Sequence, residues 1–349
     1  MKAMKTRERI VAALAALGVG AVTAALLARR GRYTFRGKTV LITGGSRGLG
    51  LVMAREFARE GARLVLCGRD GATLDRARSE LEARGTDVLA VTADVTRRDD
   101  IDTLVAAARE RFGHIDVLVN NAGVIEVGPL DTMTDADYAH AMSTHFWGPL
   151  HLMQAVLPAM RARREGRVVN VSSIGGVVAV PHMVPYSASK FALAGLSEGM
   201  YAELAGEGVR ITTVYPGLMR TGSPRNADFK GRHREEYAWF TLSDSLPFTS
   251  VSAVRAARRI VAACRRGDPR LTLSLTAKLA TLAHGVFPGL VVRAMALAGR
   301  LLPAPGGVGT ASRKGHESES PVTRSVLTAL DEKAAAENNQ NPPPEPQPA

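Results

Sequence analysis

A glycine-rich turn directly follows the first core strand that the sequence predicts. Residues 38–43 are largely apolar and β-branched, which predicts a buried strand, and Thr43–Gly50 reads TGGSRGLG. An amphipathic segment to about Glu60 predicts a helix that starts inside this turn. A strand, a glycine turn and a helix start together point backbone N–H groups at one place, where a pyrophosphate can bind. The spacing G-x-x-x-G-x-G is not the commoner G-x-G-x-x-G, and such a turn alone could be only a tight connection.

Strand-like and helix-like segments alternate from this turn to about residue 275. Further strands are predicted at 63–67, 87–91, 115–119, 168–171, 209–214 and 270–275. This alternation predicts an α/β fold, a Rossmann-like, doubly wound parallel sheet of seven strands in a single catalytic domain. Ligands of such sheets bind at the carboxyl ends of the strands, and the motifs described below all fall at such ends.

The end of the second strand indicates which dinucleotide would bind. In NAD-specific folds of this kind an acidic residue stands there and binds the ribose hydroxyls. In this chain Gly68 takes that place, Arg69 follows it, and Arg47 lies in the glycine turn. Two guanidinium groups can bind a 2′-phosphate, so the sequence predicts NADP(H) as the cofactor. The alternative is a pair of solvated surface arginines.

Tyr186 and Lys190 are four residues apart in a predicted helix and therefore lie on the same face, one turn apart. A free tyrosine has a pKa of about 10, and a nearby cation lowers it by favouring the phenolate. Ser173 follows the apolar run 168–171, so its hydroxyl lies at a strand end and could bond the oxygen that Tyr186 protonates. By itself, a Tyr-to-Lys spacing of this kind is usually only a surface pair.

Taken together, the motifs resemble those of the short-chain dehydrogenase/reductase family over about residues 38–275. They occur in the order and spacing of the family: the turn Thr43–Gly50, the sequence Asn120-Asn121-Ala122-Gly123 after the fourth strand, Ser173 with Tyr186-x-x-x-Lys190, and Pro216-Gly217 with Thr221. The resemblance implies NADP(H)-dependent chemistry on CH–OH or C=O groups.

The resemblance also implies a role for each matching position. Tyr186 would be the general acid/base, Ser173 would orient and polarise the carbonyl, and Lys190 would bind the nicotinamide ribose and lower the pKa of the tyrosine. Asp94 would contact the adenine and Thr221 the carboxamide. The complete set expected to bind the cofactor is Gly44, Ser46, Arg47, Gly48, Leu49, Gly50, Arg69, Asp94, Asn121, Gly123, Tyr186, Lys190, Pro216, Gly217 and Thr221.

One position departs from the family pattern. The helical stretch predicted from Asp135 to about Arg163 contains Gly148, and the family usually has an asparagine three residues before this glycine. That asparagine bends the helix and positions a water that relays protons to the lysine. His145 stands there instead. A histidine could also bind a water, but its own titration near neutral pH would change the pH response.

The positive charge of the chain is concentrated at its start. Residues 1–38 carry nine Lys/Arg and one acidic residue, while the whole chain has a net charge of +12. The uncharged stretch 10–28 lies inside this basic region, which favours anionic lipid over nucleic acid as a partner. Residues 1–37 are therefore expected to be a membrane anchor, with a cleaved signal peptide or a helix lying in the interface as alternatives. Because both flanks are basic, they do not decide the orientation.

Three further segments lie after the sixth strand. Residues 218–250 form a long charged insertion with Tyr237, Trp239, Phe240 and Phe248, expected to be a substrate lid or a short helix pair packed on the core. The sequence of residues 276–311 predicts an apolar helical extension with Arg293 and Arg300 on one face. This extension could lie on lipid, on the domain or on a second subunit. Residues 312–349 are polar and proline-rich, which predicts disorder.

These observations favour one function over two others. The leading hypothesis is an NADPH-dependent oxidoreductase that acts on a lipophilic ketone or alcohol at the cytoplasmic face of a membrane; whether it forms a homo-oligomer is left open. A membrane-associated NADPH sensor with little turnover and a structural scaffold are the alternatives. With only Cys67 and Cys264, the chain has no cysteine spacing typical of a zinc site, and no metal is expected.

Overall fold

A parallel sheet of seven strands forms the centre of the protein in the computed structural model, which describes residues 33–245, 250–321, 323 and 328–341. The strands of the described residues are β1 (Thr39–Thr43), β2 (Arg63–Gly68), β3 (Val88–Thr92), β4 (Val117–Asn120), β5 (Glu126–Val127), β6 (Gly166–Val171), β7 (Val209–Tyr215), β8 (Met219–Arg220), β9 (Asp228–Phe229), β10 (Val251–Ser252), β11 (Arg270–Thr272) and β12 (Arg313–Lys314). The central sheet has the order β11-β7-β6-β4-β1-β2-β3, which confirms the predicted doubly wound fold.

Helices cover both faces of this sheet. The α-helices of the described residues are α1 (Gly48–Arg59), α2 (Gly71–Glu82), α3 (Arg98–Phe112), α4 (Asp135–Met142), α5 (Gly148–Ala162), α6 (Val184–Leu204), α7 (His233–Ser245), α8 (Ala253–Arg266), α9 (Leu275–Val286), α10 (Pro288–Gly299) and α11 (Ala329–Glu337). Strands β1, β4 and β6 are almost entirely buried, which explains why their sequences are continuous apolar runs rather than alternating ones.

The strand register brings the ends of neighbouring strands to one level. Thr43 pairs with Cys67 across β1 and β2, and Asn120 pairs with Asn170 across β4 and β6. The residues that follow these strands therefore emerge along the same edge of the sheet. This edge carries the glycine turn and the loops after β2, β4, β6 and β7, and it is where the fold places a ligand.

The helical stretch predicted from Asp135 to about Arg163 is not one continuous α-helix. A π-helical turn, Ser143–Trp147, separates α4 from α5. Pro149 explains the interruption, because it has no N–H to donate to the carbonyl of His145 four residues earlier. The wider turn directs His145 into the protein, where it is buried.

The insertion at 218–250 has its own folded structure. Strands β8, β9 and β10, a 3-10 turn and α7 account for most of it, while Phe248 lies outside the described residues. Tyr237 and Phe240 of α7 are buried against Phe229. Glu236 fastens α7 to the loop before α6, since its carboxylate oxygens bond His182 Nδ1 at 2.8 Å and Trp239 Nε1 at 2.7 Å.

The two helices of the predicted apolar extension, α9 and α10, meet at Phe287. Between Leu275 and Leu302 only Ala277 is buried. The exposed large apolar residues of this helical hairpin are Leu275, Leu279, Leu282, Val286, Phe287, Leu290, Val292, Leu297 and Leu301.

The prediction of disorder after residue 312 is wrong for the part of this tail that the structure describes. Strand β12 pairs antiparallel with β9, and α11 packs near α7 and β8. The composition argument considers only apolar burial, whereas this segment is fixed by polar bonds to the rest of the protein. The predicted anchor at 1–37 lies almost wholly outside the described residues. Among the helices that the structure does describe, none has the length and apolar character needed to cross a membrane.

Candidate active site

A cavity of about 680 Å³ opens at the carboxyl edge of the sheet. With the single exception of Gly50, every residue that the sequence nominates for catalysis or cofactor binding lines it. These residues are Gly44, Ser46, Arg47, Gly48, Leu49, Arg69, Asp94, Asn121, Gly123, His145, Ser173, Tyr186, Lys190, Pro216, Gly217 and Thr221. The motifs are therefore brought together in space.

The glycine turn requires glycine at several positions. Gly44 and Gly48 have φ values of +62° and +55°, a region that residues with a Cβ avoid. A Cβ on Gly50 would lie 2.0 Å from the carbonyl oxygen of Gly44, which explains why Gly50 supports the turn without lining the cavity. The Asn121 side chain ties β4 to this turn by donating to the carbonyls of Thr43 and Gly44. The turn is therefore rigidly formed and open to the cavity.

The adenosine end of the cavity carries two arginines. Arg47 and Arg69 both line the cavity, and loss of hydration, and then repulsion from Arg69, lowers the pKa of Arg47. A Cβ on Gly68 would lie 3.0 Å from Ser46 Oγ, which leaves little room for the acidic side chain typical of NAD-specific folds. Burial alone would raise the pKa of Asp94, but hydrogen bonds from Thr96 lower it overall. The residues present fit a 2′-phosphorylated dinucleotide.

Tyr186 and Lys190 lie on one face of α6 and point into the same cavity. Lys190 Nζ lies 5.6 Å from the centre of the Tyr186 ring and donates a 2.9 Å hydrogen bond to the carbonyl of Val171 at the end of β6. Burial lowers the pKa of Lys190 to about 7. Ser173 Oγ accepts the N–H of Gly175 at 3.0 Å and lines the same cavity as Tyr186, whose pKa it lowers. Acid, base and oxygen-binding groups thus converge in one place.

The pKa of Tyr186 differs from the sequence expectation. Burial raises it above its ordinary value, the bond with Ser173 partly opposes this rise, and the carboxyl of Asp244 adds to it. The expected lowering by Lys190 does not dominate, because the same burial disfavours charge on both groups. The sequence spacing predicts the contact, but not the dehydrated surroundings that decide its effect.

His145 lies within the site, but it does not titrate near neutral pH as expected. Its Nε2 accepts the N–H of Val124 at 3.1 Å, so in the neutral ring Nδ1 carries the proton and donates to Ser189 Oγ at 2.7 Å. Burial and the charge of Lys190 keep the pKa of His145 well below 6.5. With both nitrogens bonded to the protein, the ring positions the loop after β4 and does not relay protons through water.

The sequence analysis did not identify a buried carboxyl group that lines the cavity. Asp244, near the end of α7, is buried and lines the cavity together with Trp239 and Phe240. Burial, and then the charge of Asp331, raises its pKa well above the ordinary value. The aromatic residues of the insertion were the available signal, but nothing in the local sequence marks Asp244 as buried.

The fold and this cavity define a class of protein, an oxidoreductase that binds a dinucleotide at the carboxyl edge of a doubly wound sheet. The family model of the short chain dehydrogenases matches residues 38–229. The protein is a member of the short-chain dehydrogenase/reductase family.

Individual relatives agree with this membership. The chain is 36% identical over 270 residues to dehydrogenase/reductase SDR family member 7B of Bos taurus, which covers 74% of this chain and 81% of the relative. A solved short-chain dehydrogenase of Streptomyces avermitilis matches 75% of this chain and 97% of its own, with 30% identity and a TM-score of 0.65. A metagenomic short-chain oxidoreductase in complex with NADP matches 69% of this chain and 99% of its own, with 28% identity and a TM-score of 0.57.

Proposed function

We propose that this oxidoreductase uses NADP(H) and reduces the carbonyl of a lipophilic substrate at a membrane surface. The observation that carries the proposal is the convergence of Tyr186, Lys190 and Ser173 in the cavity that also contains the glycine turn. The Arg47 and Arg69 pair, and the absence of an acidic side chain at Gly68, support NADP(H) over NAD(H).

The chain's own groups perform the proton chemistry of the proposed reaction. A bound reduced nicotinamide supplies the hydride. Tyr186 then donates its phenolic proton to the substrate oxygen as negative charge develops on it. Because Ser173 Oγ already accepts the Gly175 N–H, its own hydrogen can be donated to the same oxygen. Lys190, whose pKa burial lowers to about 7, is a titratable group beside the phenol from which it could regain a proton.

Removing the phenolic hydroxyl tests this function. Tyr186→Phe should keep NADPH binding within about twofold, and should lower kcat for ketone reduction by a factor on the order of 100 or more. Tyr201→Phe, on the same helix but packed in the core, is the matched control and should keep its turnover. Unchanged turnover in Tyr186→Phe would exclude the mechanism. NADPH binding without turnover by the wild-type chain, across a panel of lipophilic ketones, would favour the sensor alternative.

The exposed helical hairpin supports the membrane part of the proposal. Residues 275–302 contain Lys278, Arg293 and Arg300 and no acidic residue, so charge and apolar exposure both suit an anionic bilayer. The start of the hairpin also lies beside a residue of the cavity wall. A Cβ on Gly217, which lines the cavity, would lie 3.4 Å from Ala277, and one on Gly299 would lie 3.4 Å from Pro181, shortly before α6. A substrate dissolved in the bilayer would then enter the site directly.

A comparison of two substrates tests this part separately. Leu282 and Leu290 are 64% and 66% exposed, and changing both to Asp should raise KM for a long-chain ketone embedded in phosphatidylserine vesicles. KM for a short water-soluble ketone should not change. Leu130→Asp, at a site that is 63% exposed outside the hairpin, is the control. Equal KM values for the embedded ketone in wild type and the double variant would refute lipid docking by the hairpin.

A further inference from the structure

A segment close to the end of the chain lies across the glycine turn. The C-terminal segment, residues 328–341, contains α11 and, after it, Asn338, Asn339 and Gln340, which contact α1 or the turn directly before it. The backbone N–H of Gly48 donates a 2.8 Å hydrogen bond to the carbonyl of Asn338. The side-chain amide of Asn339 donates to the carbonyl of Ser46 at 2.9 Å.

These contacts use the part of the turn that an anion would need. Gly48 is the first residue of α1, and the N–H groups of a first helical turn carry the positive end of the helix dipole. The carbonyl oxygen of Asn338 thus takes a bond that a phosphate oxygen would otherwise accept. Gln340 extends over the same place, since its Nε2 lies 2.5 Å from the position of a Cβ built on Gly48. The segment and a pyrophosphate compete for one surface.

The C-terminal segment is fitted to this position by specific bonds. Asn339 has a φ of +58°, accepts from Arg76 Nε at 2.9 Å and donates to the carbonyl of Thr73 at 3.0 Å. Arg55 donates to the carbonyl of Glu337 and to the side chain of Asn338. These partners lie on α1 and α2, the two helices that frame the adenosine end of the cavity.

The other end of the segment reaches the loop after β7. Asp331 is buried and accepts the N–H of Gly222 at 3.0 Å, directly after Thr221, which lines the cavity. The segment therefore spans from the expected carboxamide end of the dinucleotide to its pyrophosphate end. Its displacement would open both ends together.

Arg47, which is proposed to bind the 2′-phosphate, is also linked to the C-terminal segment. Arg47 Nη1 donates to Asn226 Oδ1 at 2.7 Å, and the Asn226 amide donates to the backbone and side-chain oxygens of Gln340 at 2.9 and 2.8 Å. A 2′-phosphate bound to Arg47 would compete with Asn226 for the guanidinium. Loss of that bond would loosen the hold of Asn226 on Gln340.

We infer that the C-terminal segment is autoinhibitory: it occupies the pyrophosphate site through Asn338 and Gln340, and NADP(H) binds only when it is displaced. This inference rests on the proposed cofactor. The apparent affinity for the dinucleotide is then the intrinsic affinity multiplied by the fraction of molecules in which the segment is displaced. Any change that loosens the segment raises this apparent affinity.

Direct NADPH binding to the purified full-length protein tests the inference without relying on turnover. Asn339→Ala removes the three side-chain bonds described above and should lower Kd for NADPH by at least about tenfold, because one net hydrogen bond changes an equilibrium by roughly two- to tenfold. Asn341→Ala, at an exposed residue of the same segment, is the matched control and should leave Kd unchanged. A deletion of residues 329–349 should bind NADPH at least as tightly as Asn339→Ala.

The outcomes separate this inference from the proposed function. An unchanged or higher Kd in both the deletion and Asn339→Ala would overturn autoinhibition, since a segment that clamps a bound cofactor would weaken binding when removed. If no variant and not even the wild-type chain binds NADPH, the proposed cofactor is wrong. Hydrogen exchange adds a second measurement: NADPH should increase exchange of the α11 amides, and increased protection there would contradict displacement.

Discussion

Replacing Lys190 with methionine should make the protein more stable while abolishing its activity. Lys190 is almost completely buried, and burial lowers its pKa from an ordinary 10.5 to about 7. A pKa difference of about 3.5 between the unfolded and folded chain corresponds to about 5 kcal/mol. This is the free energy by which burying the lysine destabilises the folded state at neutral pH. A buried apolar side chain of similar length carries no such cost.

The sign and the pH range follow from proton binding. Between pH 7 and 10.5 the unfolded chain binds the proton of this lysine more tightly than the folded chain, so stability rises with pH through this range. Lys190→Met also leaves the carbonyl of Val171 without its 2.9 Å bond, at a cost of roughly 1–3 kcal/mol. A net gain of about 2–4 kcal/mol remains at pH 7, and it should disappear by about pH 10.

Thermal unfolding of the two proteins measures this difference. At about 2–4 °C for each kcal/mol, the Tm of Lys190→Met should exceed that of the wild type by roughly 4–16 °C at pH 7. Lys278→Met, at an exposed lysine, is the control and should show no pH-dependent difference. A variant that is less stable at pH 7, or a gain that is equal at pH 7 and pH 10, would refute the reasoning.

Three further predictions concern other groups. Replacing Arg47 and Arg69 with Ala should raise the ratio of KM for NADPH to KM for NADH by about 10- to 100-fold, because only NADPH carries the 2′-phosphate, whereas loss of the Arg47–Asn226 bond affects both cofactors equally. Glu126→Gln should raise stability by about 1–3 kcal/mol at pH 8 and by little at pH 4, since burial raises the pKa of Glu126 to about 7; Glu110→Gln, at an exposed site, is the control for these unfolding curves. His145→Asn should leave the pH–rate profile between pH 6 and 8 unchanged, because His145 is neutral throughout that range.

The sequence predicted the sheet because each of its strands carries its own signal. Strands buried on both faces need continuous apolar runs, and β1, β4 and β6 show them without reference to distant residues. The nominated site residues also follow from local rules, since loops after parallel strands emerge along one edge. Their meeting around one cavity depends only on the topology.

The other features of the site could not be predicted from the local sequence, because they depend on which residues the folded chain buries. The pKa of Tyr186 rises because neighbouring elements exclude water, which the spacing to Lys190 does not encode. Asp244 looks like a helix-end acid in the sequence, and becomes a cavity residue only when α7 packs over the site. The C-terminal segment has the composition of a disordered chain, and its order comes from side-chain and backbone bonds to residues about 250 to 300 positions earlier.

The opposite shifts of Tyr186 and Lys190 bear on the direction of the reaction. Burial raises the pKa of Tyr186 above 10 and lowers that of Lys190 to about 7, so in the described state the proton stays on the phenol. Moving it to a neutral Lys190 would cost about 4 kcal/mol or more. A protonated phenol is ready to donate to a ketone oxygen, whereas alcohol oxidation needs the phenolate.

We therefore expect reduction with NADPH to keep a nearly constant kcat/KM between pH 6 and 8. Oxidation with NADP⁺ should rise by about tenfold for each pH unit through this range, because the phenolate fraction rises in that proportion below the pKa of Tyr186. Steady-state rates on one ketone and alcohol pair would measure both directions. An oxidation rate that is already at its plateau at pH 7 would contradict this expectation. It would mean that bound cofactor lowers the pKa of Tyr186 by three or more, and that burial of Tyr186 and Lys190 does not determine the direction of the reaction.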